Sequence, residues 1–251
     1  PVFLPAGAET HFFPDLDALD PALLNRTSAF YLCNPSNPQG TVASAEYLRK
    51  ALSLARKHNF MLIVDECYSE IYDTTPPTGI LEICREEGGT LDHVMAFHSL
   101  SKRSSAAGLR SGFCVGEASL IKTFLHLRSF AGAASPLPVC AAAAALWNDD
   151  THVAENRALY HQKFDMAEEI FGSRFGFYRP EGGFFLWLNV GDGVEAAKRL
   201  WTKAAIRVLP GRYLSVAGAD GINPGDPYIR VALVATPESS KEALTRLADS
   251  L

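Results

Sequence analysis

The sequence predicts an α/β fold: a large domain on a mostly parallel sheet with helices on both faces, then a smaller C-terminal α+β domain. Three observations predict it. Short, continuous apolar runs alternate with helix-period segments through the first half of the chain, the pattern of buried parallel strands joined by crossover helices. These runs end in polar clusters, the place where open α/β sheets hold ligands. After about residue 138 the order changes, with two helices in succession and the strands coming later.

Pro1-Val2-Phe3-Leu4 reads as an opening strand. Ala29-Phe30-Tyr31-Leu32-Cys33 is the next, and it enters the turn-rich Asn34-Pro35-Ser36-Asn37-Pro38-Gln39-Gly40. Ser44 is placed to cap a helix in which Leu48, Ala51, Leu52 and Ala55 recur at helical spacing. Met61-Leu62-Ile63-Val64 has the all-apolar character of a buried strand and stops at Asp65-Glu66. Val94-Met95-Ala96-Phe97 leads into His98-Ser99-Leu100-Ser101-Lys102, and Gly112-Phe113-Cys114-Val115-Gly116 is bounded by glycine at each end. Helices are expected over 141–147, 152–171, 195–204 and 237–251, and strands over 183–190 and 228–234. In the 152–171 helix Asn156, Arg157, Gln162 and Lys163 are expected to face water, while Trp147 and Trp201 are expected in the core. The domains are placed at 1–140 and 145–251, with the active site in the crevice where they join.

Composition narrows the class of function. The chain is 47% hydrophobic and 20% charged, as in ordinary soluble domains, and no apolar run approaches the ~18 residues of a membrane span. A net charge of −5 without a basic block argues against a nucleic-acid partner. Five scattered cysteines, odd in number and without a C-x-x-C pair, point to a reducing, cytoplasmic setting. No signal peptide is expected, and an opening proline inside an apparent strand suggests a portion upstream.

The chemistry-bearing residues gather at strand ends. A carboxylate such as Asp65 after an apolar strand needs a cationic partner if buried, which a ligand ring, an arginine or a helix N-terminus would supply. Lys102 stands among serines and is followed by Arg103 and Arg110; nearby cations favour a neutral amine able to form a Schiff base. The serines and arginines would also suit a phosphate. Ser99-Leu100-Ser101-Lys102 spells the S-x-x-K of penicillin-binding proteins, but the companion S-D-N and K-T-G motifs are absent from the sequence. Taken singly, each residue has an ordinary alternative: a solvated lysine, a turn asparagine at Asn37, a strand-end aromatic at Tyr68, a surface charge at Arg230.

Taken together they are more specific. The segments 34–40, Asp65-Glu66-Cys67-Tyr68, Ser99-Leu100-Ser101-Lys102 and Gly108-Leu109-Arg110-Ser111-Gly112, followed by Tyr228-Ile229-Arg230, resemble the class I/II aminotransferases of fold type I. The resemblance covers essentially the whole chain. It implies pyridoxal 5'-phosphate as cofactor and no metal. Lys102 would hold the cofactor as a Schiff base and later shuttle the proton at the substrate Cα. Asp65 would pair with the pyridinium nitrogen, Tyr68 and Asn37 would bond the 3-oxygen, and Ser99 and Arg110 would hold the phosphate. Arg230, with Asn37, would bind the substrate α-carboxylate. Phe184, in Gly182-Gly183-Phe184-Phe185-Leu186-Trp187, faces either substrate or core. His98 reads as a packed strand-end histidine, and Cys67 is assigned no role.

The resemblance further implies a homodimer acting on a small amino acid and a 2-oxo acid. It also implies an N-terminal portion, absent from this sequence, that supplies a phosphate-binding loop and a ring-stacking aromatic. Among subgroups, residues 98–104, 108–113 and 65–72 look closest to succinyldiaminopimelate transaminases of lysine biosynthesis, which use 2-oxoglutarate. An aspartate, aromatic or alanine aminotransferase is the nearest alternative. A non-catalytic pyridoxal-phosphate-binding effector domain of a regulator is another.

Overall fold

The computed structural model describes residues 1–132, 134–218 and 220–251. It divides into two compact units, one of Asp15–Ser36 and Val42–Asn156, the other of Pro1–Pro14, Asn37–Thr41 and Arg157–Leu251.

The first unit carries strands β1 (Ala29–Cys33), β2 (Met61–Asp65), β3 (Val94–Ser99) and β4 (Gly112–Gly116) in the order β1-β2-β3-β4. The first three are parallel and β4 runs antiparallel to β3. After helix α1 (Pro21–Asn25), helices α2 (Ala45–His58) and α3 (Ile80–Glu86) pack against the central strands. Leu48, Ala51, Leu52 and Ala55 form the buried stripe of α2, and the Ser44 hydroxyl accepts from Tyr47 N at its start. Leu62, Val64, Val94 and Ala96 are fully buried. Phe97 points away from Ala96 by strand alternation and meets Phe124 of α5 (Ala118–Ala131) edge-on, ring centroids 6.2 Å apart. The glycines that bound β4 have a steric reason: a side chain at Gly112 would collide with the His98 carbonyl, and one at Gly116 with the Val94 carbonyl. Helices α4 (Leu100–Arg103) and α6 (Leu137–Trp147) and the first turn of α7 (Thr151–Phe171) complete this unit.

The second unit holds a three-stranded antiparallel sheet, β5 (Phe185–Asn189), β6 (Leu209–Pro210) and β7 (Tyr228–Ala232), ordered β5-β7-β6. Helices α8 (Gly193–Ala204) and α9 (Pro237–Ser250) bury Ala196, Leu200, Leu244 and Leu247. The opening segment belongs here because Phe12 stacks on Tyr178, centroids 6.0 Å apart, and meets Tyr228 edge-on. Residues 37–41 belong here because Gly40 O accepts from Glu181 N and Gly182 N, and Tyr178 Oη donates to Gln39 O at 2.8 Å.

Several expectations need correction. The division falls at 156/157, inside α7, rather than at 140–145, and the C-terminal unit recruits two earlier segments through these aromatic and backbone contacts. Pro1–Leu4 forms no strand and joins neither sheet. The alanine-rich helix begins at Leu137 rather than Ala141. Trp201 is 62% exposed, because the buried stripe of α8 runs through Ala196, Leu200 and Ala204 and leaves its neighbour outside. Trp147 is half-buried rather than core. Lys163 is 5% exposed, lying on the same face of α7 as Tyr160, Phe164 and Ala167, and its Nζ donates to Leu233 O at 2.8 Å. No helix among the described residues is long and apolar enough to cross a membrane.

Candidate active site

The parallel register aligns the ends of β1, β2 and β3: Cys33 opposes Asp65, and Asp65 opposes Phe97. The last residues of these strands, Cys33, Asp65 and Ser99, therefore come to one end of one sheet. Asp65 is exposed, and its Oδ1 accepts from Cys67 N at 3.0 Å. Lys102 Nζ stands 5.9 Å from the centroid of the Tyr68 ring. The Cys67 thiol senses both charges. Burial pushes it up to about 12, helped by its hydrogen bond to the Asp65 carboxylate, while the Lys102 ammonium pulls the other way. Asp65 and Lys102 thus act on one side chain in opposite senses.

Ser99 and Arg110 border the same region. With Cys67, His98, Phe113 and Cys114 they line a cleft of about 310 Å³. Ser99 Oγ caps α4 by accepting from Ser101 N at 3.1 Å, and it also bonds Ser101 Oγ and Ser111 O. Arg110 is exposed and left-handed, φ 50° and ψ 42°, with Nη1 donating to Ala107 O. A non-glycine residue held there costs about 1 kcal/mol, and such strain gathers at functional sites.

Two arrangements escaped the sequence reading. Glu66, not Asp65, is the buried carboxylate: 3% exposed, it accepts from Ile80 N at 2.7 Å and pairs with His98 Nε2 at 3.1 Å. Strand alternation, which sends neighbours to opposite faces, was the available signal. His98 stacks on Phe113, centroids 5.0 Å apart, and is the packed strand-end histidine that was expected. Arg103 points away from any phosphate role, since its guanidinium is buried against Asp150, Leu146 O and Trp147. No sequence signal links 103 to 146–150.

The remaining predicted residues lie in the other unit. There Arg230 Nη1 donates to Asn37 Oδ1 at 3.0 Å, across 193 residues of chain. The Arg230 guanidinium lies 4.3 Å from the Phe185 ring centroid. Phe184 is 5% exposed and stacks on Tyr160, so it is a core residue here. Among the described residues no group of three or more histidines, cysteines and carboxylates is arranged to hold a metal ion.

Comparison with known proteins decides the family. A family model described as aminotransferase class I and II matches residues 2–248. The chain belongs to the class I and II aminotransferases. A relative from Streptomyces rimosus, 4-dedimethylamino-4-oxo-anhydrotetracycline transaminase OxyQ, is 37% identical over 86% of this chain and 58% of its own length. A solved aminotransferase from Neisseria meningitidis superposes with a TM-score of 0.89 at 40% identity, over 95% of this chain and 61% of its own. A probable N-succinyldiaminopimelate aminotransferase from Thermus thermophilus superposes at 0.84 with 26% identity, over 96% of this chain and 63% of its own. This aminotransferase sequence therefore spans about three-fifths of the length of these relatives.

Class I and II aminotransferases use pyridoxal 5'-phosphate. The residues present fit that group. Asp65 would present an exposed carboxylate to a ring nitrogen and Lys102 an amine to an aldehyde, and Ser99 and the exposed Arg110, which line one cleft, would take a phosphate.

Proposed function

We propose that this protein transfers an amino group between an amino acid and a 2-oxo acid, with pyridoxal 5'-phosphate held in the unit of Asp65 and Lys102. The observation that carries the reading is the position of Lys102 Nζ, 5.9 Å from the ring of Tyr68, which follows Asp65 by three residues at the end of β2. When bound, the cofactor supplies an electron sink for the pair left at the substrate Cα. Asp65 keeps the ring nitrogen protonated, which strengthens that sink. Tyr68 donates to the 3-oxygen. Ser99 and Arg110 hold the phosphate, the guanidinium offering two parallel donors. Lys102 would hold the cofactor through its amine and would move the proton at the substrate Cα. Arg230, oriented by Asn37 and Phe185, takes the substrate α-carboxylate. A homodimeric state and a cytoplasmic location are part of the same proposal.

For the donor we propose N-succinyl-diaminopimelate, with 2-oxoglutarate as acceptor. The motif resemblance at 65–72, 98–104 and 108–113 supports it, as does the name of the Thermus neighbour. The name of the Streptomyces relative favours a wider screen of amino donors.

The test is spectroscopic. Chain incubated with the cofactor should develop a visible absorbance band that borohydride abolishes, leaving Lys102 covalently modified. A Lys102→Ala variant should show neither. No band, or an adduct on another lysine, sinks the reading. Addition of candidate donors to the loaded protein then ranks substrates by loss of the band.

A further inference from the structure

Lys102 sits on a helix of four residues, too short to be held by its own hydrogen bonds. The two residues after it are instead tied to two consecutive carboxylates. Arg103, 6% exposed, donates to Leu146 O at 2.7 Å, to Asp149 O at 3.4 Å and to the Asp150 carboxylate. Its guanidinium also lies 5.1 Å from the Trp147 ring centroid. One guanidinium thus satisfies carbonyls at and beyond the C-terminal end of α6 that the helix itself leaves open. Ser104 is held by a relay. His152 Nε2 lies 2.8 Å from Ser104 Oγ, and His152 Nδ1 lies 3.0 Å from Asp149 Oδ2. With Nδ1–H donated to Asp149, Nε2 accepts the Ser104 hydroxyl proton. The histidine is the first cause holding the Asp149 carboxyl below its ordinary range.

We propose that Arg103, backed by the Asp149–His152–Ser104 relay, is a positioning residue that aims the Lys102 amine for capture of an aldehyde. The proposal rests on the reading of Lys102 given above. Neither Arg103 nor His152 touches the cofactor in this role; both act through the backbone that carries Lys102. A misaimed lysine slows bond formation while leaving the noncovalent cradle of Asp65, Ser99 and Arg110 intact.

Two probes separate these effects. Pyridoxal 5'-phosphate can be captured by lysine, whereas pyridoxamine 5'-phosphate has no aldehyde and reports on the cradle alone. In Arg103→Lys, which keeps the charge and loses the fork, borohydride-trapped adduct at Lys102 should form at least about tenfold more slowly. Its Kd for pyridoxamine 5'-phosphate should stay within about twofold of the parent, since the cradle is untouched. His152→Phe, which cuts the relay at a half-buried site, should show the same split with a smaller slowing, and it decides the matter if Arg103→Lys fails to fold. Equal weakening of both probes would mean a merely structural role and overturn the proposal, as would no change in either. A parent chain that traps no aldehyde, or traps it in Lys102→Ala, would overturn the reading of Lys102 and this inference with it.

Discussion

At the end of β2 two consecutive carboxylates take different roles, because strand residues alternate sides. Asp65 stays open to solvent, while Glu66 is buried with His98 and the start of α3. Removing the Glu66 carboxylate leaves the buried Ile80 N–H and the His98 ring without their partner, so Glu66→Ala should cost about 3 kcal/mol in urea unfolding. Asp65→Ala should change stability by less than about 0.5 kcal/mol; the reverse ranking would mean the two faces have been exchanged. Lys163 gives a second residue-scale prediction. Burial holds its pKa below the ordinary 10.5, so between its folded value and 10.5 the unfolded chain binds more protons at this position. Stability contributed by this site therefore rises with pH through that window. Urea unfolding at several alkaline pH values should show parent stability gaining on Lys163→Met; a constant difference would refute it.

The elements succeed where local signals agree with packing. Helix α2 has its cap, its buried stripe and, at Asn59, a left-handed residue that ends it. The cap and the stripe were readable from the sequence; the left-handed end at Asn59 was not. Ser44→Ala should destabilise by about 1 kcal/mol, read by thermal or urea melts. Helix α5 is the opposite case: none of its residues is buried, and Leu125 and Phe130 are 69% and 81% exposed. Side chains that bury little contribute little, so Leu125→Ser with Phe130→Ser should shift the stability of this chain by no more than about 0.5 kcal/mol. A larger loss would show that α5 packs more than its exposure indicates. Helix α7 was mistaken at Lys163 because the amine completes an otherwise apolar stripe, and a stripe is legible only when its odd member is not assumed to face water.

For the molecule as a whole, each unit carries a phenol that folding keeps protonated. Tyr47 in one unit is raised by burial and then by Asp15; Tyr178 in the other is raised by burial, then by Tyr228 and Glu181. A raised folded value means this contribution is complete below the ordinary 10.0 and is lost as pH climbs beyond it. Alkaline titration of phenolate absorbance should therefore contain a component that appears only as structure is lost. Tyr47→Phe and Tyr178→Phe should each remove part of it, and different midpoints for the two parts would show the units melting separately. A component that survives both substitutions intact would exclude these two phenols as its source.

The sequence by itself determined the family, the parallel sheet core and the set of strand ends from which polar groups project, because motif order and hydrophobic period are local properties of the chain. It placed Asp65 and Ser99 at those ends correctly, while Lys102 lies just beyond, on the short helix α4. Only the tertiary structure decided which carboxylate is buried and that Arg103 serves α6. It alone joined Asn37 to Arg230 and drew the opening segment into the C-terminal unit. Those are contacts between residues far apart in the chain, and their energies depend on burial and on which partners arrive, neither of which a local pattern encodes.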